Sequence, residues 1–186
     1  MALGGGTFVT QNKVLPGAYI NFVSLPTATA TLSDRGYVTM PFELDWGPCG
    51  EVFTVEQADF QKNSMKYFGY SYLDDKMKGL RDLFVHTQTL YAYRLNTGGT
   101  RATCTFASAK YPGTRGNDLK IVIQANVDDP TMFDCYTYLG EDCVDEQTVS
   151  SASNLVDNDF VDFNQNATLL VTAATNLAGG TNGTVT

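Results

Sequence analysis

The sequence predicts a mixed α/β and all-β protein with an N-terminal extended arm, a partial α/β core and an inserted β-sandwich domain. Three observations lead to this prediction. Helical periodicity is confined to the first half of the chain, strand-like runs separated by turn residues fill the second half, and a glycine-rich segment lies on each side of that second half. We assign residues 1–23 to the arm, residues 24–97 to the α/β core, and residues 98–186 to the β-sandwich with a C-terminal glycine-rich linker.

The composition favours a packed protein over a disordered one. Of the 186 residues, 43% are hydrophobic and 17% are charged, and the formal net charge is −8. An acidic surface repels phosphate groups, so we expect no nucleic-acid partner. We also expect no membrane insertion, because no apolar run approaches the roughly 18 residues that a spanning helix needs. The N-terminus lacks the basic and apolar parts of a secretory signal, which predicts synthesis in the cytosol.

The arm prediction rests on the pattern of the first residues. Three glycines at positions 4–6 precede two β-prone runs, residues 7–10 and 18–23, and Pro16-Gly17 separates these runs. Polar and apolar side chains alternate in the second run, which is the period of a strand. Because an isolated strand or hairpin is marginally stable in water, this segment needs a sheet edge, either in its own domain or in another copy of the chain. An ordinary first strand of the domain is the alternative.

Three strands are predicted in the α/β core. The first covers residues 37–44, and Pro41 places it at a sheet edge or at a bulge. The second covers residues 51–54 and the third residues 89–95. Because two helical segments lie between the second and the third strand, we interpret this part as a βαβ-type crossover and expect these two strands to pair in parallel.

Two helices are predicted between those strands. The first covers residues 55–68: Thr54 and Gln57 have the spacing of a capping box at its start, and Gly69 marks its end. The second covers residues 73–85. Its apolar side chains recur at helical spacing and predict one buried face, formed by Leu73, Met77, Leu80 and Phe84.

The second half of the chain is predicted to be a β-sandwich or meander. Turn residues separate five strand-like runs, at residues 102–109, 119–127, 133–139, 143–149 and 167–174. A helical turn is predicted within residues 154–163. The segments 96–100 and 177–183 are both rich in glycine and are interpreted as linkers. A domain that is entered and left through two such linkers has the pattern of an insertion, which implies that more chain follows Thr186.

The sequence offers no catalytic, cofactor-binding or metal site that we can assign. A hydrolytic triad or a cysteine nucleophile needs a base, and the single histidine, His86, lies between a helix and a strand. Asp157, Asp159 and Asp162 lack the glycine and the terminal glutamate of a calcium loop. A zinc site is not expected. A bond between Cys135 and Cys143 is possible in principle, but cytosolic synthesis favours free thiols for Cys49, Cys104, Cys135 and Cys143.

Several segments, in order along the whole chain, resemble the contractile tail sheath proteins of bacteriophages and of phage-like R-type bacteriocins, in the Gram-positive branch of that family. The order and spacing of these segments carry the resemblance. The segments are Gly5–Phe8, Gln11–Lys13, Leu15–Phe22, Arg35-Gly36, Pro41, Leu44–Pro48, Ala109–Leu119, Thr137–Gly140 and Leu155–Asn158.

This resemblance implies a structural subunit and not an enzyme, with no cofactor. Sheath subunits form a helical or ring-stacked homo-oligomer around a tail tube, in a virion tail or phage-like particle that is assembled in the bacterial cytoplasm. Their terminal arms donate strands to neighbouring subunits. Contacts with the tail tube protein are implied for a C-terminal region beyond Thr186. Carried onto this sequence, the resemblance implies that arm residues contact a neighbouring subunit, namely Phe8, Val9, Tyr19, Ile20 and Phe22.

Two other functions are compatible with parts of the pattern. A β-sandwich adhesin, or another binding module on a particle surface, would use the same strands and the same added strand. An enzyme would need an acid/base pair that the sequence does not reveal.

Overall fold

A computed structural model describes residues 36–185. The arm prediction, including all of its candidate contact residues, lies outside the described residues; these candidates are Phe8, Val9, Tyr19, Ile20 and Phe22. The described residues belong to one compact unit. The domain boundaries at residues 23 and 97 remain predictions.

A three-stranded sheet forms the centre of the α/β part. Its strands are β1 (Tyr37–Phe42), β2 (Val52–Glu56) and β3 (Thr89–Arg94), in the order β1-β3-β2. The alternation along β3 buries Leu90 and Ala92 on one face. β1 lies at one end of this order, and so the prediction that Pro41 belongs to an edge strand is confirmed for the described sheet.

The predicted parallel pairing of β2 and β3 is wrong. β2 pairs with β3 in antiparallel orientation, and β1 pairs with β3 in parallel orientation. A connection that contains two helices has one more chain reversal than a connection that contains one, and it therefore returns the chain antiparallel. The parallel crossover runs instead from β1 to β3 and includes β2 and both helices.

The helices are α1 (Gln57–Phe68) and α2 (Lys78–His86), and a 3₁₀ turn (Asp75–Met77) precedes α2. The capping box is not formed, because Thr54 lies in β2, where it pairs with Tyr91. Glu56 is the N-cap residue of α1 and makes no side-chain capping bond. The predicted helix end is confirmed: Gly69 adopts φ 77° and its N–H donates to the carbonyl of Met65.

The predicted buried face of the second helix is correct in three of its four positions. Met77, Leu80 and Phe84 are buried, whereas Leu73 precedes the helical turns and is 79% exposed. Both helices cover one face of the sheet, where aromatic rings dominate the core. The rings of Phe60 in α1 and Phe84 in α2 stack with centroids 4.8 Å apart.

The second half is a β-sandwich, as predicted. Its larger sheet has the order β10-β6-β7-β8, and its strands are β6 (Leu119–Ala125), β7 (Phe133–Leu139), β8 (Asp142–Val149) and β10 (Thr172–Asn176). The opposing sheet pairs β5 (Ala107–Ala109) with β9 (Val161–Phe163). Two further short strands, β4 (Asn96–Thr97) and β11 (Thr184–Val185), pair with each other.

Three predictions for this half need correction. The strand expected at residues 167–174 is displaced, because residues 167–171 form no strand and β10 covers Thr172–Asn176. The strand expected at residues 102–109 is reduced to β5, because Thr105 and Phe106 form a bend, closed by a bond from the Cys104 N–H to the Ala107 carbonyl. The helical turn expected within residues 154–163 is also displaced: a 3₁₀ turn covers Ala152–Asn154, and the chain then extends into β9.

The sandwich has its own hydrophobic core. Apolar side chains of β6 and β7 face β5 and β9 across it, and Leu119, Ile123 and Leu139 are almost fully buried. Trp46, from the loop between β1 and β2, is fully buried in the same core. The two halves therefore share a packed boundary. No helix between residues 36 and 185 has the length and apolar character to span a membrane.

Candidate functional site

The chain enters and leaves the β-sandwich at one place, which we call the double joint and define as residues 94–100 and 177–185. β4 and β11 pair there in antiparallel orientation, Asn96 opposite Val185. The hydroxyl of Thr100 donates to the Gly179 carbonyl at 2.6 Å, and the Thr181 N–H donates to the Thr100 carbonyl at 3.1 Å. Entry and exit are thus bonded to each other.

Both segments were predicted to be linkers that enter and leave the sandwich, and in the structure they are packed and hydrogen-bonded. Leu177 is only 1% exposed, and its N–H donates to the Leu119 carbonyl in the sandwich. The glycines allow the two backbone segments to approach each other closely. A Cβ atom on Gly183, where φ is 74°, would overlap the carbonyl oxygen of Thr97. A Cβ atom on Gly99 would likewise overlap the backbone at Thr181.

Arg94 occupies the centre of the double joint. It ends β3 with the same alternation that buries Leu90 and Ala92, and it is 0% exposed. Its Nη1 donates to the carbonyls of Gly47 at 3.1 Å and Pro112 at 2.6 Å. None of the ion pairs between described residues includes Arg94. Burial lowers the pKa of Arg94, yet a guanidinium stays protonated in proteins, so main-chain carbonyls hold this cation.

Asn96 completes the polar centre and is 1% exposed. Its Nδ2 donates to the carbonyl of Leu44 at 2.7 Å and to that of Asn182 at 2.6 Å. Its Oδ1 accepts from the Leu44 N–H at 2.9 Å and from Nε of Arg94 at 3.3 Å. One amide thereby links the loop after β1, the end of β3 and the segment before β11. Every polar atom of this side chain is used, as a buried amide requires.

Trp46 joins the two halves beside the double joint. Its indole Nε1 donates to the Lys66 carbonyl of α1 at 3.0 Å, while its ring contacts sandwich residues Tyr111, at a centroid distance of 5.5 Å, and Phe160, at 6.3 Å. Lys66 also forms an ion pair with Asp159 of the sandwich at 2.9 Å. The boundary therefore combines apolar burial with directed polar contacts.

The three aspartates weighed as a calcium loop each have a different protein partner. Asp157 accepts from the Phe163 N–H at 2.7 Å, and Asp159 pairs with Lys66. Asp162 accepts from Lys110 at 2.7 Å and from Arg101. Burial by itself would raise the pKa of Asp162, but the hydrogen bonds from these two cations lower it below its ordinary value. In the described part of the chain, no group of acidic, histidine or cysteine side chains is arranged to hold a metal ion.

The other candidate groups lie apart from one another. His86 is exposed at the end of α2. All four cysteines are free thiols: Cys135 is buried, which raises its pKa to about 11, and Cys143 is exposed on β8. The structure therefore brings no nucleophile and base together among these residues.

Neither Arg94 nor Asn96 was predicted from the sequence as a buried polar residue, although a signal for Arg94 was present. A charged residue in phase with the buried positions of a strand needs internal partners. Leu90, Ala92 and Arg94 have that spacing. For Asn96, which lies among turn-forming residues, no signal separated a buried amide from an ordinary turn residue.

Two family models match the chain side by side. The first, described as Tail sheath protein Gp18 domain III N-terminal region, matches residues 35–95. The second, described as Phage tail sheath protein beta-sandwich domain, matches residues 97–182. The two matches meet in the double joint.

Two curated relatives match this chain over most of its length. The phage-like element PBSX protein XkdK of Bacillus subtilis (strain 168) is 36% identical over 167 residues, which are 87% of this chain and 35% of that protein. The uncharacterized protein YqbK of the same organism is 34% identical over 176 residues, which are 91% of this chain and 37% of that protein. The chain thus spans little more than a third of these relatives.

Solved structures share the fold. The sheath tail protein from Desulfitobacterium hafniense superposes with a TM-score of 0.72 and 40% identity, covering 91% of this chain and 40% of that one. The sheath tail protein from Listeria innocua superposes with a TM-score of 0.69 and 34% identity, covering 82% of this chain and 35% of that one. The resemblance seen in the sequence is confirmed. Since two tail sheath domains match in adjacent segments and solved sheath proteins share both sequence and fold, the chain belongs to the phage tail sheath proteins.

Proposed function

We propose that this chain forms part of the structural subunit of a contractile tail sheath. Copies of the subunit polymerise as rings or as a helix around an inner tube, and shortening of the sheath drives that tube through a cell envelope. The single observation that carries the proposal is the order of the two tail sheath matches, residues 35–95 and residues 97–182, on either side of one double joint.

The boundary between the α/β part and the β-sandwich is built as expected for a protein that bears mechanical load. A single flexible linker would let the sandwich swing, whereas two paired connections resist separation and rotation. Arg94 and Asn96 bond both connections to the loop after β1, and Trp46 adds buried apolar contact. A sheath that shortens loads every subunit at once, and this boundary transmits such a load between the halves without unfolding either.

The arm is proposed to connect neighbouring subunits. A strand of residues 18–23 that joins a neighbour's sheet gains several main-chain hydrogen bonds, each worth about 1 kcal/mol net. Burial of Ile20 and Phe22 adds roughly 2 kcal/mol for each side chain. One such connection is reversible, and many in a lattice are strong. Phe8, Val9 and Tyr19 are the further proposed contacts of the arm.

No catalytic role is proposed, because the family is structural and the one histidine lies exposed at a helix end. The location that goes with this function is a virion tail or a phage-like particle, assembled in the bacterial cytoplasm. More than half of each curated relative lies outside the matched part. We assign the contacts with the tail tube protein to that remainder.

Electron microscopy of the complete gene product tests the proposal. We expect striated tubes of sheath, and we expect deletion of residues 1–20 to leave unassembled subunits. Lys13→Ala, which changes the single charged side chain within the first 33 residues, is the matched control and should still assemble. Isolated particles without tubes would favour the adhesin alternative. Normal tubes that contract after the deletion would show that the arm is not the connector.

A further inference from the structure

The segment that leaves the β-sandwich contains the one Asn-Gly pair in the 186 residues, Asn182-Gly183. Asparagine is a chemically labile residue, and a following glycine increases that lability. Because glycine has no side chain, the main-chain nitrogen of Gly183 can be reached by the side-chain carbonyl carbon of Asn182. A bond between these two atoms closes a succinimide ring, which is the first step of deamidation.

Deamidation at this pair needs only water and hydroxide. The Gly183 nitrogen gives its proton to hydroxide and bonds to Cγ of Asn182, the bond from Cγ to Nδ2 breaks, and Nδ2 leaves as ammonia. Water then opens the ring. Hydrolysis at Cγ produces aspartate, whereas hydrolysis at the main-chain carbonyl produces isoaspartate. The isoaspartate carries the main chain through Cγ and therefore lengthens it by one methylene group.

The closed double joint holds both carbonyls that would become part of the ring. The main-chain carbonyl of Asn182 accepts from Nδ2 of Asn96 at 2.6 Å and from Nη2 of Arg94 at 3.4 Å. The side-chain carbonyl of Asn182 accepts from the Thr114 N–H at 2.8 Å and from the Thr114 hydroxyl at 3.1 Å. Donors on two different segments thus fix the two carbonyls, and rotation of either one into the ring competes with these bonds.

Backbone packing also covers the reacting peptide bond. A Cβ atom on Gly99 would lie only 2.9 Å from the carbonyl carbon of Asn182 and 3.0 Å from the nitrogen of Gly183. The segment that enters the sandwich therefore lies directly against this peptide bond. Separation of the two segments uncovers the Gly183 nitrogen for hydroxide and frees the Asn182 side chain to turn towards it.

We propose that Asn182-Gly183 is a site of spontaneous deamidation that the closed double joint suppresses. A joint that stays open exposes the pair, and the reaction then proceeds without an enzyme. Because ammonia is lost, the change is permanent. The longer main chain of the isoaspartate product misaligns β11 with β4, so that the altered joint cannot close as before. The pair therefore records each opening that lasts long enough for the ring to form.

Peptide mass spectrometry of the 186-residue chain, incubated in mildly alkaline buffer, tests the site. Deamidation replaces the side-chain amino group by a hydroxyl group, and chromatography separates the aspartate peptide from the isoaspartate peptide. In guanidinium chloride, where the chain is unfolded, we expect Asn182 to react before any other asparagine. In the folded chain we expect its reaction to be at least about tenfold slower, because only molecules with an open joint react.

Two variants weaken the joint in different places. Asn96→Ala removes a donor to the main-chain carbonyl of Asn182 and should accelerate deamidation of the folded chain by at least about tenfold. Thr114→Val is nearly isosteric at an exposed position; it removes the hydroxyl donor alone and should accelerate the reaction about threefold. Asn166→Ala, at another exposed position, is the control and should react at the wild-type rate. Thermal melting checks that each variant is folded during the incubation.

Equal rates in the folded and the unfolded wild-type chain would overturn the proposal, because the closed joint would then give no protection. A slower reaction of Thr114→Val would overturn it as well, since Thr114 would then activate the amide and not restrain it. Amide hydrogen exchange of the converted protein tests the consequence: β4 and β11 should exchange faster than in the unconverted protein, and unchanged exchange would contradict the misalignment. None of these outcomes bears on the proposed sheath function.

Discussion

Asn96 and Asn182 are 86 residues apart in the sequence, yet the side-chain amide of Asn96 donates to the carbonyl of Asn182 at 2.6 Å. This contact joins the strand that enters the β-sandwich to the segment that leaves it. Arg94 donates to the same carbonyl at 3.4 Å. The two ends of the sandwich are therefore held together by buried polar contacts.

Asn96→Ala should destabilise the protein by about 3 kcal/mol, because it leaves buried groups of Leu44, Arg94 and Asn182 without their partner. Urea unfolding at constant pH measures this change. Asn166→Ala is the control: Asn166 is exposed, and its replacement should change the free energy of unfolding by no more than about 0.5 kcal/mol. Equal effects of the two substitutions would contradict the role given to Asn96.

Arg94→Lys should also be destabilising, by about 2 kcal/mol or more, because an ammonium cannot reproduce the fork of a guanidinium that reaches three chain segments. The charge is kept, so a loss of stability reports geometry. Lys62, exposed on α1, provides the matched control as Lys62→Arg, which should have little effect. If Arg94→Lys has the same midpoint of urea unfolding as the wild type, a positive charge at this position is sufficient for stability and the guanidinium geometry is not needed.

Gly183→Ala should open the pairing of β4 and β11, because the added Cβ overlaps the Thr97 carbonyl. Gly140→Ala is the control, since Gly140 also has positive φ, 67°, but no atom lies within 4 Å of its added Cβ. Both variants should lose about 1 kcal/mol from backbone strain. Only Gly183→Ala should also accelerate amide hydrogen exchange in β4 and β11. Unchanged exchange in these strands would contradict the close approach of Gly183 to the Thr97 carbonyl.

Asp162 should contribute to stability in a pH-dependent manner. Its pKa in the folded state lies below the ordinary value of 3.8, so its contribution is complete above that value and is lost as pH falls through the lower folded-state pKa. The pKa of Lys110 is raised chiefly by its hydrogen bond to Asp162, so the contribution of Lys110 is complete below its ordinary value of 10.5 and is lost as pH rises through the folded-state pKa.

Asp162→Asn tests this pair of shifts. At pH 7 we expect a loss of about 1 kcal/mol, since the groups are partly exposed and solvent weakens their attraction. Between pH 5 and pH 2, the variant should lose less stability than the wild type. Thermal melting across that range provides the comparison, and parallel curves for the two proteins would show that Asp162 does not titrate as described.

The sequence was sufficient to predict those elements of the fold whose signal is local. The period of two in Thr89–Arg94 marks β3 whatever its neighbours are, and Gly69 ends α1 because a left-handed residue ends a helix there. Pro41 belongs to an edge strand because it lacks a donor. In the second half, β6, β7 and β8 follow from β-prone runs separated by turns, and this class of fold is what the structure shows.

Predictions that depended on a competition between local and tertiary contacts were wrong. The capping pattern at Thr54 favours a helix start, but main-chain pairing of that residue with Tyr91 in the sheet outweighs one capping bond. The glycines of the double joint have the composition of a linker. Composition cannot distinguish a glycine that makes a linker flexible from a glycine that lets two backbone segments lie in close contact.

The sequence by itself determined the order of the three strands and two helices of the α/β part, the run of β6, β7 and β8, the division into an α/β part and a β-rich part, and the family resemblance. These follow from periodicity, turn residues and segment order, which act over a few neighbouring positions. Only the tertiary structure decided the direction of β2 against β3, the burial of Arg94 among carbonyls, and the pairing of segments 96–97 and 184–185. These features arise between residues that are far apart in the chain. Their energies depend on distance, burial and satisfied polar groups, which no local pattern contains.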